Sequence, residues 1–175
     1  MRNKSKCSRL NDLALMTSQE DAYLFVDSIL SIHPDCKQAM LKYLYNSTDS
    51  FPFSMFIMKR ELFEEYCEFI FPALFDLEKR IKTHGYSRQQ RTLGYFGEFS
   101  LGLFIFYKNL KVKNGELIGT GAFIGGYKRK VLKYFRNLLL YRIPEMFVPV
   151  PNDINLPDVI KTGLNNDGIR LKYLT

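Results

Sequence analysis

The chain has 175 residues, of which 46% are apolar and 15% aromatic, with 15 Phe, 11 Tyr and no Trp; that is enough apolar material for a core and excludes a wholly disordered chain. No window approaches the roughly 18 consecutive apolar residues of a membrane-spanning helix, and the basic start MRNKSKCSR leads into a stretch too short and too polar for a secretory signal, so a cytoplasmic location is expected. The net charge of +7 is segregated: Leu10 to Glu78 holds 12 acidic and 4 basic residues, whereas Lys79 to Arg142 holds 14 basic and 2 acidic. Such a chain presents a positive field to phosphates, whether of nucleotides, lipid headgroups or nucleic acid, or else simply a segregated solvated surface.

In chain order, a basic tail over 1–17 comes first. Ser18, followed by Gln19, Glu20 and Asp21, reads as an N-cap with first-turn carboxylates, and Leu24, Phe25, Ile29 and Ile32 give the helix behind it an apolar face. His33-Pro34 ends that helix and Pro34 starts a second through Cys36, Met40, Leu41 and Leu44, closed by the turn cluster Asn46 to Ser50. Phe53 to Met58 is an apolar run of strand length bounded by Pro52, and a buried strand is expected there. From Lys59 to about Thr83, Leu62, Tyr66, Phe69, Ala73, Leu77 and Ile81 recur at helical spacing, with glutamates at the start, basic residues at the end and Pro72 inside, where a kink is expected.

After His84-Gly85, Arg88 to about Lys108 reads as another helix. Gly94, Gly97 and Gly102 are each costly there by about 1 kcal/mol relative to Ala, which points to close approach of a neighbouring helix or a ligand. Lys111 to Lys113 alternates like a strand before Asn114-Gly115. The cluster Gly119, Gly121, Gly125 and Gly126 misses both phosphate-loop fingerprints. The segment YKRKVLKYFRNLLLYR then makes a basic amphipathic helix. Its Lys128, Arg129, Lys130, Lys133 and Arg136 suit an anionic membrane surface or phosphates, or form the solvated face of a core-packed helix. Four prolines make the next stretch irregular, and Asn166-Asp167-Gly168 before alternating Ile169 to Tyr173 suggests a last hairpin strand. Cys7, Cys36 and Cys67, with His33 and His84, have no metal-site or disulfide spacing, so no metal ligands are assigned.

The stretch FPFSMFIMKRELFEEYCEFIFPALFDLEKRI, followed by YSRQQRTLGYFGEFSLGLFIFYKNLKVK, resembles the C-terminal half of a bacterial family of capsular and exopolysaccharide gene clusters, a domain of unknown function with glycosyltransferase-like character. The resemblance runs from about Ser18 to Lys113 and is most specific in Met55 to Lys59, Glu65 to Glu68 and Leu77 to Ile81. It implies a nucleotide-sugar-type α/β fold resembling GT-A glycosyltransferases, of which the half present here is expected to fold as helix-dominated α+β; three regions are expected, the tail 1–17, the glycosyltransferase-like half 18–113 and, outside the resemblance, a C-terminal extension 114–175. The chain departs from the family's pattern in having Ser54 before Met-Phe-Ile-Met, in losing the Arg after the glutamate of Gly94 to Ser100, and in lacking D-x-D. The family's N-terminal, donor-binding half is expected to be missing, so a cofactor in this chain is not expected; Mn²⁺ or Mg²⁺ would come only with that half, supplied by a partner chain.

Sugar transfer needs a carboxylate to take the acceptor hydroxyl's proton and cations to stabilise the leaving diphosphate. Glu98 is the candidate base, or alternatively a structural ion-pair member or the cap of a solvated patch. Arg91, Gly94 and Glu98 fall at i, i+3 and i+7, placing a guanidinium and a carboxylate on either side of a glycine gap. Gln90 and Ser54 are candidates for hydroxyl contacts. The expected partners are a nucleotide sugar, a glycan or lipid-linked acceptor, and the anionic inner face of the cell membrane, where the protein would sit peripherally; nucleic acid is not expected. The expected function is glycosyl transfer in surface polysaccharide synthesis, and the alternative is a non-catalytic adaptor that binds a membrane or a partner.

Overall fold

The computed structural model of the chain describes residues 3–5, 7–51, 56–81, 91–113, 131–132, 134–135 and 151–174. It is helix-dominated. The elements are β1 (Asn3–Lys4), α1 (Arg9–Met16), α2 (Gln19–Ile32), α3 (Lys37–Met40), β2 (Asp49–Ser50), α4 (Arg60–Arg80), α5 (Thr92–Tyr107) and α6 (Asp158–Asn166). Among the described residues the sheet is limited to β1 and β2, antiparallel, with Asn3 opposite Ser50 and Lys4 opposite Asp49.

The expected tail is only partly one. Ser8 caps α1 by accepting from the Asn11 amide (3.3 Å), and Leu10, Leu13 and Arg9 are buried against α2 and α5. Residues 9–16 are therefore part of the core. Ser18 caps α2 as its sequence predicts, accepting from the Asp21 amide at 3.0 Å. The second predicted helix is a continuous coil of changing pitch: a 3₁₀ turn at Pro34–Cys36, α3, then a π turn over Leu41–Tyr45. The wide last turn is closed by the Asn46 side chain, whose amide donates to the Leu41 carbonyl at 2.8 Å.

α4 follows its predicted bounds closely and buries Tyr66, Phe69, Ile70, Ala73 and Leu77 against α2 and α5. Pro72 lies inside it on the exposed side, where the carbonyl deprived of an amide donor can be hydrated. Aromatic rings tie the layers together. Phe25 of α2 stacks on Phe96 of α5 at 5.0 Å, and Phe69 of α4 contacts Phe104 and Tyr107 of α5 at 5.5 and 5.6 Å. α5 ends on Asn109 in the left-handed region (φ 50), with the Leu110 amide donating back to the Ile105 carbonyl at 2.9 Å.

Among the described residues, none of the three expected strands is found. Of Phe53 to Met58, residues 56–58 are irregular and Phe56 and Ile57 are exposed, with 53–55 outside the described residues. Lys111 to Lys113 is irregular. At the C-terminus, Asp158 to Asn166 forms a helix that the proline-rich reading did not anticipate, and Asn166-Asp167-Gly168 ends it rather than turning a hairpin. Gly168 is left-handed (φ 71), its amide donates to Asn165 and the Ile169 amide to Leu164, both at 2.9 Å, with Ile169 and Leu164 packed in the core.

The segment after α6 does not pair as a strand because a carboxylate takes its amides. Asp27, fully buried in the middle of α2, accepts from the backbone N–H groups of Lys172, Tyr173 and Leu174 at 2.7 to 3.0 Å and from Arg80 at 2.6 Å. Arg80 also donates to Asp76 (2.8 Å) and to the Arg170 carbonyl (2.6 Å), and Lys172 pairs with Asp76. The C-terminal residues are thus locked onto α2 and α4 by a buried, nearly saturated charge network. Burial would raise the Asp76 carboxyl, but hydrogen bonds from Lys172, Arg80 and Ser28 outweigh it and hold Asp76 below the usual 3.8.

Candidate functional site on helix α5

The two halves of α5 have opposite surroundings. In the C-terminal half, Phe99 to Phe104 are all buried, including Ser100 and Gly102. Ser100 satisfies its hydroxyl by donating to the Phe96 carbonyl at 2.6 Å. Gly102 is needed for space, since a Cβ there would collide with the fully buried ring and hydroxyl of Tyr43. This is the close approach of neighbouring structure that the glycine density implied.

In the N-terminal half the glycines have no such neighbour among the described residues. Apart from the helix's own adjoining backbone, no atom of the described residues lies within 4 Å of where a Cβ would stand on Gly94 or Gly97. Arg91, at the helix entry, is exposed and its guanidinium lies over the Tyr95 ring at 5.6 Å. Glu98 is half-buried and has no hydrogen-bond or ion-pair partner among the described residues. Seven residues of helix set Arg91 and Glu98 about 10 Å apart along the axis, with Gly94 on the same side between them. Among the described residues, an exposed guanidinium and a carboxylate without a partner therefore stand on either side of Gly94 along the helix.

An aromatic group borders this gap. The Tyr66 hydroxyl, from α4, donates to the Gly97 carbonyl at 3.2 Å. Phe56 packs edge-on to Tyr66 at 5.8 Å and against Phe63 at 6.1 Å. Burial pushes the Tyr66 phenol up to about 12, with the Cys67 thiol adding to it, so Tyr66 remains a hydrogen-bond donor across the physiological range. The periodicity of α4 marks Tyr66 only as core; its reach to Gly97 could not be read from spacing.

A carboxylate beside open backbone can accept hydrogen bonds from hydroxyls, an exposed guanidinium can bind phosphate oxygens, and ring edges and faces can pack on the C–H surfaces of a sugar. Of the other residues picked from the sequence, Ser54 and Gln90 lie outside the described residues, as do Lys128, Arg129, Lys130, Lys133 and Arg136. Among the described residues no group of three or more His, Cys, Asp or Glu side chains is placed to hold a metal ion. Burial, reinforced by nearby aspartates, raises the Cys7 and Cys36 thiols, the latter to about 12, which keeps both in the poorly nucleophilic thiol form. No described helix is long and apolar enough to cross a membrane.

The site lies within the region shared with other proteins. Residues 2–109, which run from β1 to the end of α5, match the family model described as Domain of unknown function (DUF4422). No curated protein and no solved structure matches the chain. The matched region includes α1 and the whole of the open α5 face, and on this match the chain belongs to the DUF4422 family.

Proposed function

We propose that this chain takes part in glycosyl transfer from a nucleotide-sugar donor during bacterial capsular or exopolysaccharide synthesis, as its sequence resemblance implies, and that the open face of α5 is where the sugar is handled. The observation that supports this reading is a half-buried Glu98 that has no partner among the described residues, beside Gly94 and Gly97, which no other described side chain covers. The Glu98 carboxylate oxygens are not among the buried unpartnered atoms, so they are open to water, and a ligand hydroxyl can take that water's place. A sugar hydroxyl is a fitting donor.

In this reading the acceptor hydroxyl gives its proton to a Glu98 carboxylate oxygen as its oxygen bonds to the anomeric carbon. The anomeric C–O bond to the diphosphate breaks, with the electron pair leaving on the diphosphate, and the Arg91 guanidinium faces the developing negative charge. Tyr66 positions the α5 backbone by holding the Gly97 carbonyl. The test is turnover by a longer, active relative carrying the same face: replacing the residue that corresponds to Glu98 by Gln should abolish transfer while leaving nucleotide-sugar binding within about twofold. Unchanged turnover would remove Glu98 from the reaction.

A second reading has its own observation. The outer side of α4 carries exposed Phe63, Phe71 and Phe75, more apolar surface than a solvated helix needs. That favours a non-catalytic, partner-binding adaptor role for the chain, in which α4 rather than α5 carries the function. Truncating these phenylalanines should then impair the protein's role in the cell while a Glu98→Gln change leaves it intact.

A further inference from the structure

The outer side of α4 is both aromatic and acidic. Phe71 and Phe75, one turn apart, stack on each other at 6.1 Å with their planes 22° apart, and Phe75 is 58% exposed. Phe63 lies two turns before Phe71. Around them, Glu64 is held by Arg60 at 2.9 Å and Glu65 by Lys108 at 2.7 Å. Glu61, Glu68 and Glu78 have no ion-pair partner among the described residues. Two stacked rings rimmed by unneutralised carboxylates are a poor surface to leave in water and a good one for a basic, apolar partner.

The same chain carries a surface of the opposite kind. Val131, Leu132, Tyr134 and Phe135 are helical; Leu132 is 73% exposed, and Tyr134 and Phe135 are exposed and packed edge to face at 5.8 Å. The sequence around them supplies Lys128, Arg129, Lys130, Lys133 and Arg136 and no acidic residue. Because Leu132, Tyr134 and Phe135 are exposed, the chain's own α4 does not cover them. An anionic lipid surface would satisfy the basic segment but repel the glutamates of α4. A contact between the two surfaces satisfies both.

We propose that the Phe63, Phe71 and Phe75 face of α4 binds the Leu132–Phe135 segment of a second copy of this chain. In a twofold pair the contact forms twice, each copy giving its α4 and its basic segment, so the assembly closes without forming a filament. The apolar side chains form the centre of each contact. Glu61, Glu68 and Glu78 give the α4 side an acidic rim, and the segment's sequence is basic, which makes association sensitive to salt. The inference is independent of the glycosyl-transfer reading, since it uses no residue of the α5 gap.

The test is sedimentation velocity of the full chain over a wide concentration series, at low and high salt, with two charge-reversed variants, Glu68→Lys/Glu78→Lys and Lys130→Glu/Lys133→Glu. All four positions are charged, so thermal unfolding is checked first, and Phe71→Ser/Phe75→Ser provides an uncharged variant of the exposed face. The wild type should dimerise, more weakly in high salt. Each reversed variant alone, and the serine variant, should dimerise about tenfold or more weakly. An equimolar mixture of the two reversed variants should recover a dimer, because each then meets its complement. A wild type that stays monomeric at every concentration overturns the proposal, as does a dimer indifferent to the reversals. So does a monomer that floats with anionic phosphatidylserine vesicles and loses this in Lys130→Glu/Lys133→Glu, since the segment would then serve a membrane.

Discussion

Gly102 and Gly94 lie on the same helix, eight residues apart, and answer the same question in opposite ways. At Gly102 the missing side chain is replaced by the Tyr43 ring, so the glycine serves packing. At Gly94 and Gly97 it is replaced by nothing among the described residues, while an uncompensated carboxylate and an exposed guanidinium lie on either side. A helix that gives up about 1 kcal/mol per glycine without a packing return is a place to look for a ligand. The closed parts of the molecule, Gly102 against Tyr43 and the separate Asp27 network, provide the control for what a purely structural residue does when changed.

The largest effect is expected in the Asp27 network. Asp27→Ala leaves three backbone amides without their acceptor and removes one carboxylate from the mostly buried Arg80, and should cost about 3–5 kcal/mol in urea unfolding, a large part of a domain's typical stability. Asp27→Asn, which keeps an acceptor oxygen, should cost less. If Asp27→Ala unfolds within about 0.5 kcal/mol of the wild type, the C-terminal lock is not a stabilising feature. Gly102→Ala should be destabilising by about 1–3 kcal/mol through overpacking against Tyr43, and pairing it with Tyr43→Phe should recover only part of the loss, because the ring as well as the hydroxyl is in the way.

The same network makes stability depend on acid. The Asp76 carboxyl is depressed in the folded chain, so its contribution is fully present above its ordinary value of 3.8 and is lost as pH falls through the lower folded value. Unfolding midpoints measured downward from pH 5 should fall more steeply for the wild type than for Asp76→Asn. Equal slopes would mean that Asp76 titrates alike in the folded and unfolded chains.

The smallest stability change carries the most information about function. Gly94→Ala should stabilise the fold by up to about 1 kcal/mol, since the new methyl meets no neighbour and the backbone gains helix propensity. The same substitution should weaken ligand binding if the gap is a site. A variant that gains stability and keeps full binding would make Gly94 a bystander and erase the contrast with Gly102.

Much of this architecture was legible in the sequence, for identifiable reasons. α4 could be read because its apolar positions recur at helical spacing between a glutamate-rich start and a basic end, and α2 because Ser18 and two carboxylates mark its entry. α1 was obscured by the basic residues before it, which read as a tail although Leu10 and Leu13 belong to the core. α6 was obscured by the surrounding prolines, even though Pro157, Asp158 and Gly168 mark its two ends. The alternation from Ile169 to Tyr173 suggested a strand, but its amides go to a side chain; the signal for that was Asp27, a lone charge within the apolar run Leu24 to Leu30. At the site, the Arg91, Gly94 and Glu98 spacing was readable from helix geometry alone. The contribution of Tyr66 was not, because it depends on how α4 crosses α5.

The most direct test is a calorimetric titration of the folded wild-type chain with nucleoside diphosphates and nucleotide sugars, with and without Mn²⁺, beside Gly94→Val as the variant that fills the gap. The account predicts saturable binding by the wild type, weakened about tenfold or more in Gly94→Val at an unfolding temperature no lower than that of the wild type. No binding by a wild-type chain shown to be folded, or equal binding by both, would contradict a sugar-handling role for the α5 face and shift the function to the aromatic face of α4.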